Sequence, residues 1–376
     1  MQSSIRTPYD RVVMAVPVTI PYVRYSIESA QWWIGRALKS LVDGAGITPR
    51  DIDGFCVSSF TAGLDSGISL TQHFGLCVRW IDTIPLGGAS AIAALRRAAR
   101  AVQAGDARIV ACVAGDTNHV DLFRYTLENF RASTRMRVYP YGAGGANASF
   151  ALIARNYMRT FGARREDFGK IARRPAQQRA AQSPRPDESA ADHRAVHVGA
   201  ADRRSDPFVR LRDAVRGRGG LPGDERGRRR FAEAACRQNS RTIERHNAFR
   251  RRSRSGAGRM GDGCRRALRD GRRQADDLDF VQTYDDYPVI SMMQFEDLGF
   301  CRQGRGPDFV RQHDLTIDGS FPHNTSGGQL SVGQAGAGGA YLGVVEAMRQ
   351  VLGQAGPTQV RDARDRVGVG LRNDQL

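Results

Sequence analysis

Nowhere in the 376 residues is there a run of 18 or more apolar residues, so no helix of bilayer-spanning length is expected. No basic segment followed by an apolar stretch opens the chain, and no secretory leader is expected. The six cysteines include no Cys-x-x-Cys pair and show no regular spacing, which argues against a zinc site or a disulfide framework. Glycine-rich stretches are present, but no Gly-Lys-Ser/Thr follows them and none fits G-x-G-x-x-G after a strand, so neither a phosphate loop nor a dinucleotide fingerprint is indicated. These absences leave a cytoplasmic protein of a reducing compartment, with no membrane association. What is present is 41% hydrophobic residues, enough for a real core, and a length suited to about two domains.

The formal net charge of +17 is unevenly placed. Residues 173–273 hold 28 Arg, no Lys and 12 acidic residues, a net of +16; the other 275 residues are at +1. That block is poor in aliphatics and shows no sustained helix or strand period. Three readings of it stand side by side: a basic insert that binds nucleic acid or another polyanion, a solvated insert without a partner, and a GC-rich coding stretch read out of frame. With synonymous codons shifted by one base, residues 211–230 can read Cys-Val-Met-Pro-Cys-Ala-Gly-Ala-Glu-Ala-Phe-Leu-Val-Met-Ser-Glu-Asp, a strand-like run. Residues 251–273 can gain an amphipathic helix pattern in the same way. The frame explanation is favoured and nucleic-acid binding ranks last; peptide mapping of the expressed chain separates them, because recovery of the Arg-rich peptides excludes a frame slip.

Outside the block the pattern is α/β. Trp33, Ala37, Leu38 and Leu41 recur at helical spacing before Gly44 and Gly46. Thr48-Pro49-Arg50-Asp51 has the form of a capping box with Pro at the first helical position. A strand is expected over 55–60, a helix over 91–103, a strand buried on both faces over 108–114 and an amphipathic helix over 147–161. The second half repeats this plan. Asp51-Ile52-Asp53 is echoed by Asp277-Leu278-Asp279, and Gly87-Gly88-Ala89 before a helix by Gly338-Gly339-Ala340. Two echoes in one order indicate a duplicated α/β unit. The expected organisation is an N-terminal half over 1–172, the Arg-rich irregular segment over 173–273 and a C-terminal half over 274–376. The run His323-Asn324-Thr325-Ser326-Gly327-Gly328, followed by Gly333-Gln334-Ala335-Gly336, reads either as a donor-rich loop at a helix N-terminus or as a tight turn.

Taken together, the duplicated unit, the Gly-Gly-Ala-Ser turn at 87–90 and Asn-x-x-Gly-Gly-x4-Gly in the second half resemble the thiolase superfamily. The sterol-carrier-type, lipid-transfer branch is the best match; Gln282-Thr283-Tyr284-Asp285-Asp286-Tyr287 and Glu244-Arg245-His246-Asn247 also look like that branch. The resemblance covers residues 10–172 and 274–360, and the tail over 369–376 joins it when shifted by one base. It implies a five-layered αβαβα fold, usually dimeric, acting on acyl-CoA thioesters, with coenzyme A thioester as substrate and no covalently bound cofactor. It also implies a small OB-fold and zinc-ribbon partner protein over the CoA channel.

Thiolases use a cysteine nucleophile and an activating histidine. Here the nucleophile position falls on Gly88 or its neighbours and the histidine position on Gln334, while Cys56 and Cys112 read as strand core. The resemblance therefore points away from covalent thiolase catalysis and implies an acyltransferase or thiolase homologue whose chemistry is a retro-aldol or Claisen-type carbon–carbon step, as in the tyrosine-dependent steroid side-chain retro-aldolases of this branch. Tyr284 then takes the place of the base, although those aldolases carry a second tyrosine where this chain has Gln334. Asp285 either orients Tyr284 or caps the next turn, and His323 is a candidate proton carrier or, as is commoner for such a residue, a satisfied loop histidine. Gly87, Gly88, Ser326, Gly327, Gly328 and Gln334 are the candidate substrate-binding positions. The competing reading is an acyl-CoA- or lipid-binding subunit without activity, the product of a damaged gene.

Overall fold

The computed structural model describes residues 9, 12–23, 26–63, 65–117, 145–172, 278–361 and 363, with the backbone of 207–213, 235–236 and 367–370. The first helix, α1 (Ala30–Ala45), starts where the Ser29 side chain accepts the Trp32 amide and ends at Gly46 in the left-handed conformation. The capping-box sequence at Thr48 forms a single 3-10 turn, Pro49–Asp51, rather than a longer helix, because β2 (Gly54–Ser58) follows almost at once. After α2 (Ser66–His73) and β3 (Trp80–Thr83), a 3-10 turn at Gly87–Ala89 leads into α3 (Ser90–Ala104), which stops at left-handed Gly105. β4 (Ile109–Ala114) is buried along its whole length, as its unbroken apolar sequence requires.

These strands and β1 (Val12–Thr19) belong to a six-stranded mixed sheet in the order β3-β2-β4-β5-β1-β6. Its remaining members are β5 (Pro207–Asp213) and β6 (Ala235–Cys236). β2 runs parallel to β3 and β4, and β5 is antiparallel to both β4 and β1. Two strands thus fall inside the Arg-rich block, where the sequence carries no strand period; the rest of the reading of 173–273 lies outside the described residues, as does the shifted tail over 371–376. Alternate residues of β4 serve the two faces. Ile109, Ala111 and Val113 pack against Trp33, Ile34, Leu38 and Leu41 of α1, and Val110 and Cys112 pack against alanine-rich α3.

After α4 (Gly145–Phe161), the second half repeats the unit. β7 (Phe280–Thr283) is followed by α5 (Pro288–Leu298), α6 (Gly306–Gln312) and the short α7 (Gly328–Val332). A 3-10 turn at Gly336–Gly338 then leads into α8 (Gly339–Val351), and β8 (Val367–Gly370) pairs parallel with β7. β2–turn–α3–β4 and β7–turn–α8–β8 are the same construction, which bears out the duplication read from the echoes. α3 and α8 lie together between the sheets. Tyr341, Val344 and Met348 of α8 join the cluster with Cys56 and Cys112, while Ala347 reaches Phe280 of β7. With α1 outside the first sheet and α5 outside the second, the layers are αβαβα.

The two halves meet at one carboxylate. Asp116, just past β4, accepts at Oδ1 from Ser59 Oγ (2.8 Å), Phe60 N (2.7 Å), Thr61 N (2.9 Å) and Thr61 Oγ1 (2.8 Å). At Oδ2 it accepts from Ala337 N (2.7 Å), in the turn that opens α8. Gly336 comes close enough to Oδ2 that no side chain fits there, and its left-handed φ of 58° suits glycine. Burial pushes the Asp116 carboxyl above the usual range, while the donors from Ala337, Thr61, Ser59 and Phe60 pull it back. Asp116→Ala is expected to cost roughly 3 kcal/mol or more, since it strands several buried donors. Asp116→Asn should cost nearly as much, because its amide turns a donor toward other donors. Chemical denaturation measures both; wild-type stability in either variant would remove Asp116 from this role.

Candidate functional site

Tyr284 is the first residue after β7. Its backbone is held on both sides by Gln294 of α5, whose Oε1 accepts the Tyr284 amide (3.2 Å) and whose Nε2 donates to the Tyr284 carbonyl (2.9 Å). The ring lies over Gly88 at the N-terminal turn of α3, where a Cβ would sit 2.7 Å from ring carbons. Any side chain at 88 and this tyrosine would compete for one space. The hydroxyl accepts from Gln334 Nε2 (3.3 Å), and the Gln329 amide lies beside it. Burial pushes the phenol well above its ordinary range, the Asp286 charge adds to this, and the two amides pull partly the other way. The resting group is a neutral hydroxyl.

Asp285 turns to the glycine loop. Its Oδ1 accepts the Gln329 amide (2.8 Å) at the start of α7, so the donor that a loop ligand would need is taken internally. Its Oδ2 is buried without a partner, close against Gly328, whose left-handed φ of 62° also requires glycine. Burial pushes this carboxyl up to about 6, with the Gln329 amide and Asn324 opposing. Asn324 itself adopts a left-handed backbone, φ 44°, which asparagine tolerates better than most residues. It is fixed there by Thr283 N to Asn324 Oδ1 (2.8 Å) and Asn324 N to Val281 O (3.0 Å). Thr325 joins a satisfied buried network, donating to Glu346 Oε1 (2.7 Å) and accepting from Gln282 Nε2 (2.9 Å) and Gln350 Nε2 (3.0 Å). Ser326 is buried with its Oγ unpartnered, Gly327 caps α7 at φ 97°, and Gly87 adopts φ 57° in an open turn.

The structure thus brings Tyr284, Gly88 and Gln334 together, with Asp285, Ser326, Gly327 and Gly328 on an adjoining wall. His323 is placed elsewhere. It lies on the opposite face of β7, where its Nε2 meets Thr283 Oγ1 (2.7 Å) and its ring stands edge-on to Phe295. Thr283 gives its hydroxyl proton to Ser291 (2.9 Å), so the imidazole Nε2–H is the donor and bare Nδ1 is buried without a partner. Burial lowers the imidazole to about 3, which describes a neutral core histidine rather than a proton carrier for Tyr284. Gln294, Asn324 and Gln329 complete the surroundings of the tyrosine. Of these only Asn324 carried a sequence signal, through its place in the glycine-rich run. Among the described residues no group of three or more His, Cys, Asp or Glu is arranged to hold a metal, and no helix is long and apolar enough to cross a membrane.

In this duplicated αβαβα fold the Tyr284 ring is seated between two glycine turns, against Gly88 and beside Gln334. Residues 242–371 match the family described as thiolase C-terminal domain-like. The chain is 26% identical over 369 residues to a steroid side-chain-cleaving aldolase of Thermomonospora curvata, covering 90% of each. It is 27% identical over 343 residues to 17-hydroxy-3-oxo-4-pregnene-20-carboxyl-CoA lyase of Mycobacterium tuberculosis, covering 84% of each. Among solved structures, an Ltp2-ChsH2(DUF35) aldolase superposes with a TM-score of 0.71 at 22% identity, covering 94% of this chain and 93% of that one. These similarities support a place in the thiolase superfamily, in its sterol-carrier-type branch.

The His323 placement carries a pH signature. Its folded-state value near 3 lies below the ordinary 6.5, so burying it neutral stabilises the fold fully above pH 6.5, and this contribution falls away as pH drops toward 3. The full window corresponds to about 5 kcal/mol. Asp285, raised to about 6, acts oppositely, its contribution being lost as pH rises from about 4 through 6. Denaturant unfolding of wild type and His323→Gln at several pH values isolates the histidine: the variant should lose the acid-side slope, and identical slopes would refute the assignment.

Proposed function

We propose that this protein is a carbon–carbon lyase that cleaves a β-hydroxyacyl-CoA thioester by a retro-aldol step, with Tyr284 receiving the hydroxyl proton. The observation that carries this reading lies at the junction of the two halves, where the half-buried Tyr284 ring fills the space that a side chain on Gly88 would need. The names of the two relatives, an aldolase and a CoA lyase, support the reaction class.

A retro-aldol cleavage needs no covalent nucleophile. Removal of the β-hydroxyl proton lets that oxygen become a carbonyl; the Cα–Cβ bond breaks, and its electron pair passes to the thioester enolate. A proton delivered to the α carbon then completes the shorter acyl-CoA, so one proton leaves oxygen and one reaches carbon. The neutral Tyr284 hydroxyl, oriented by Gln334 and Gln329, acts as a relay: it takes the β-hydroxyl proton as its own proton passes to the α carbon, so the phenol is neutral before and after the step. Lyase chemistry is preferred to acyl transfer because, among the described cysteine side chains, Cys56 and Cys112 are buried in strand cores, Cys301 lies with the cluster under α5, Cys77 is exposed, and none lines the cavity at Tyr284. The structural neighbour's name includes a DUF35 component, which supports a partner of that kind; an OB-fold with a zinc ribbon is the form proposed here. A homodimer and a cytoplasmic location, where CoA esters are at hand, complete the proposal.

Gln334, standing where the resembling aldolases have a second tyrosine, favours a second reading in which the protein binds acyl-CoA without turnover. The two separate in one experiment. With a DUF35-type partner supplied, wild type should release a carbonyl product and a shorter acyl-CoA from a β-hydroxyacyl-CoA. Tyr284→Phe should lower kcat by about 100-fold or more, a loss typical of removing a general acid–base group, with KM little changed. Unchanged turnover in Tyr284→Phe removes Tyr284 from the chemistry, and CoA-ester binding without cleavage by wild type establishes the second reading.

A further inference from the structure

Buried polar atoms in native proteins almost always have a partner, either from the protein or from an ordered water. Asp285 Oδ2, Asn324 Nδ2, Ser326 Oγ and Gln329 Oε1 are all buried without a hydrogen-bond partner from the protein. All four belong to residues that line one small cavity beneath Tyr284, whose other walls include Gly328, Gly339 and Leu342. Its space is about that of one water molecule. The Asn324 amide adds to the stabilisation of the Asp285 charge, but without hydrogen-bond geometry of its own.

The chemistry of the set is complementary to a single molecule. Two atoms only accept, the Asp285 carboxylate oxygen and the Gln329 carbonyl oxygen, and two donate, the Asn324 amide and the Ser326 hydroxyl. Water, with two donors and two acceptors, satisfies all four at once; an ammonium ion or a second carboxylate would not. The same residues reach the reacting group. Asp285 holds the Gln329 backbone through Oδ1, and the Gln329 side chain lies beside the Tyr284 hydroxyl. A water on Gln329 Oε1 turns the other end of that amide, its NH2, toward the phenol. Of the titratable groups nearby, Asp286 is on the same loop, His323 faces the other side of β7, and Glu346 is bonded to Thr325, Gln350 and Thr358.

We propose that this cavity is the site of a resident water, held by Asp285, Asn324, Ser326 and Gln329, and that Asp285 is thereby a positioning residue for the Tyr284 hydroxyl. The second half rests on the lyase reading above; the water itself does not. Diffraction from crystals of the full chain should show an ordered water within hydrogen-bond reach of Asp285 Oδ2 and Asn324 Nδ2. Asp285→Asn keeps shape and keeps an acceptor for the Gln329 amide, but turns an NH2 group into the cavity. It should lose the water, rotate the Gln329 amide away from Tyr284, and lower kcat at least tenfold with KM little changed. A wild-type cavity without water, or an Asp285→Asn protein with the water, the amide and kcat all retained, overturns the proposal. Should the variant not fold, the wild-type diffraction decides the water. Should wild type show no turnover, the lyase reading fails and the positioning role with it, while the water is still decided by diffraction.

Discussion

The arrangement depends on a single carboxylate with two oxygens and two clients. Asp116 Oδ1 gathers the loop after β2, and Oδ2 takes the amide that opens α8. The two glycine turns of the duplicated unit therefore face each other at a fixed separation, one before α3 and one before α8. Fixed dipoles converging on a buried charge resist deformation, because each donor moved away leaves desolvated charge behind. Helices α3 and α8 also pack directly on each other, through the cluster that holds Ala94, Ala98, Tyr341, Val344 and Met348. The Tyr284 ring fits into the gap between Gly88 and Gln334.

That gap explains why one side chain excludes another. In a duplicated fold the junction of the two turns is the natural place for chemistry, since both helix starts and both strand ends point at it. A side chain on the α3 turn or a large ring after β7 can occupy it, but not both: a Cβ on Gly88 would come within 2.7 Å of the ring. Glycine at 88 and tyrosine at 284 are thus one choice made at two places nearly 200 residues apart. Gln294 holds the Tyr284 backbone from below, which leaves the ring no alternative seat.

Much of the frame was legible because it is local. α1, α3, α4 and β4 follow from periodicity, glycine stops and an unbroken apolar run, and each ends within a few residues of where its pattern ends. The Thr48 capping box misleads about length because a cap marks a helix start and says nothing of how soon the next strand begins. β5 escapes notice because its partners on both sides, β4 and β1, come from far away in the chain. Tyr284 was visible as part of a motif. Asp116 was not, since its donors lie 55 to 57 residues back and 221 residues ahead, and nothing next to it in sequence distinguishes it from any loop aspartate. His323 is the opposite case: it adjoins the glycine loop in sequence, which makes it a candidate there, yet alternation along the segment paired with β7 sends it to the other face.

Two polar regions flank β7, and their contrast separates structure from function. Around Thr325, Glu346, Gln350 and Thr358 every named oxygen has a donor, and the network ties α8 to the loop before β8. Such closure stabilises and leaves nothing over for a ligand. One residue away on either side, Asn324 and Ser326 present buried atoms with no partner from the protein, and Asn324 adopts a left-handed backbone. Strained and unpaired groups persist only where their surroundings over-determine them. Here the determinant is the satisfied network itself, which anchors Thr325 from beneath and so holds both neighbours toward the tyrosine. A stable polar core and an incomplete polar wall are built from consecutive residues of one loop, and the first is what makes the second possible.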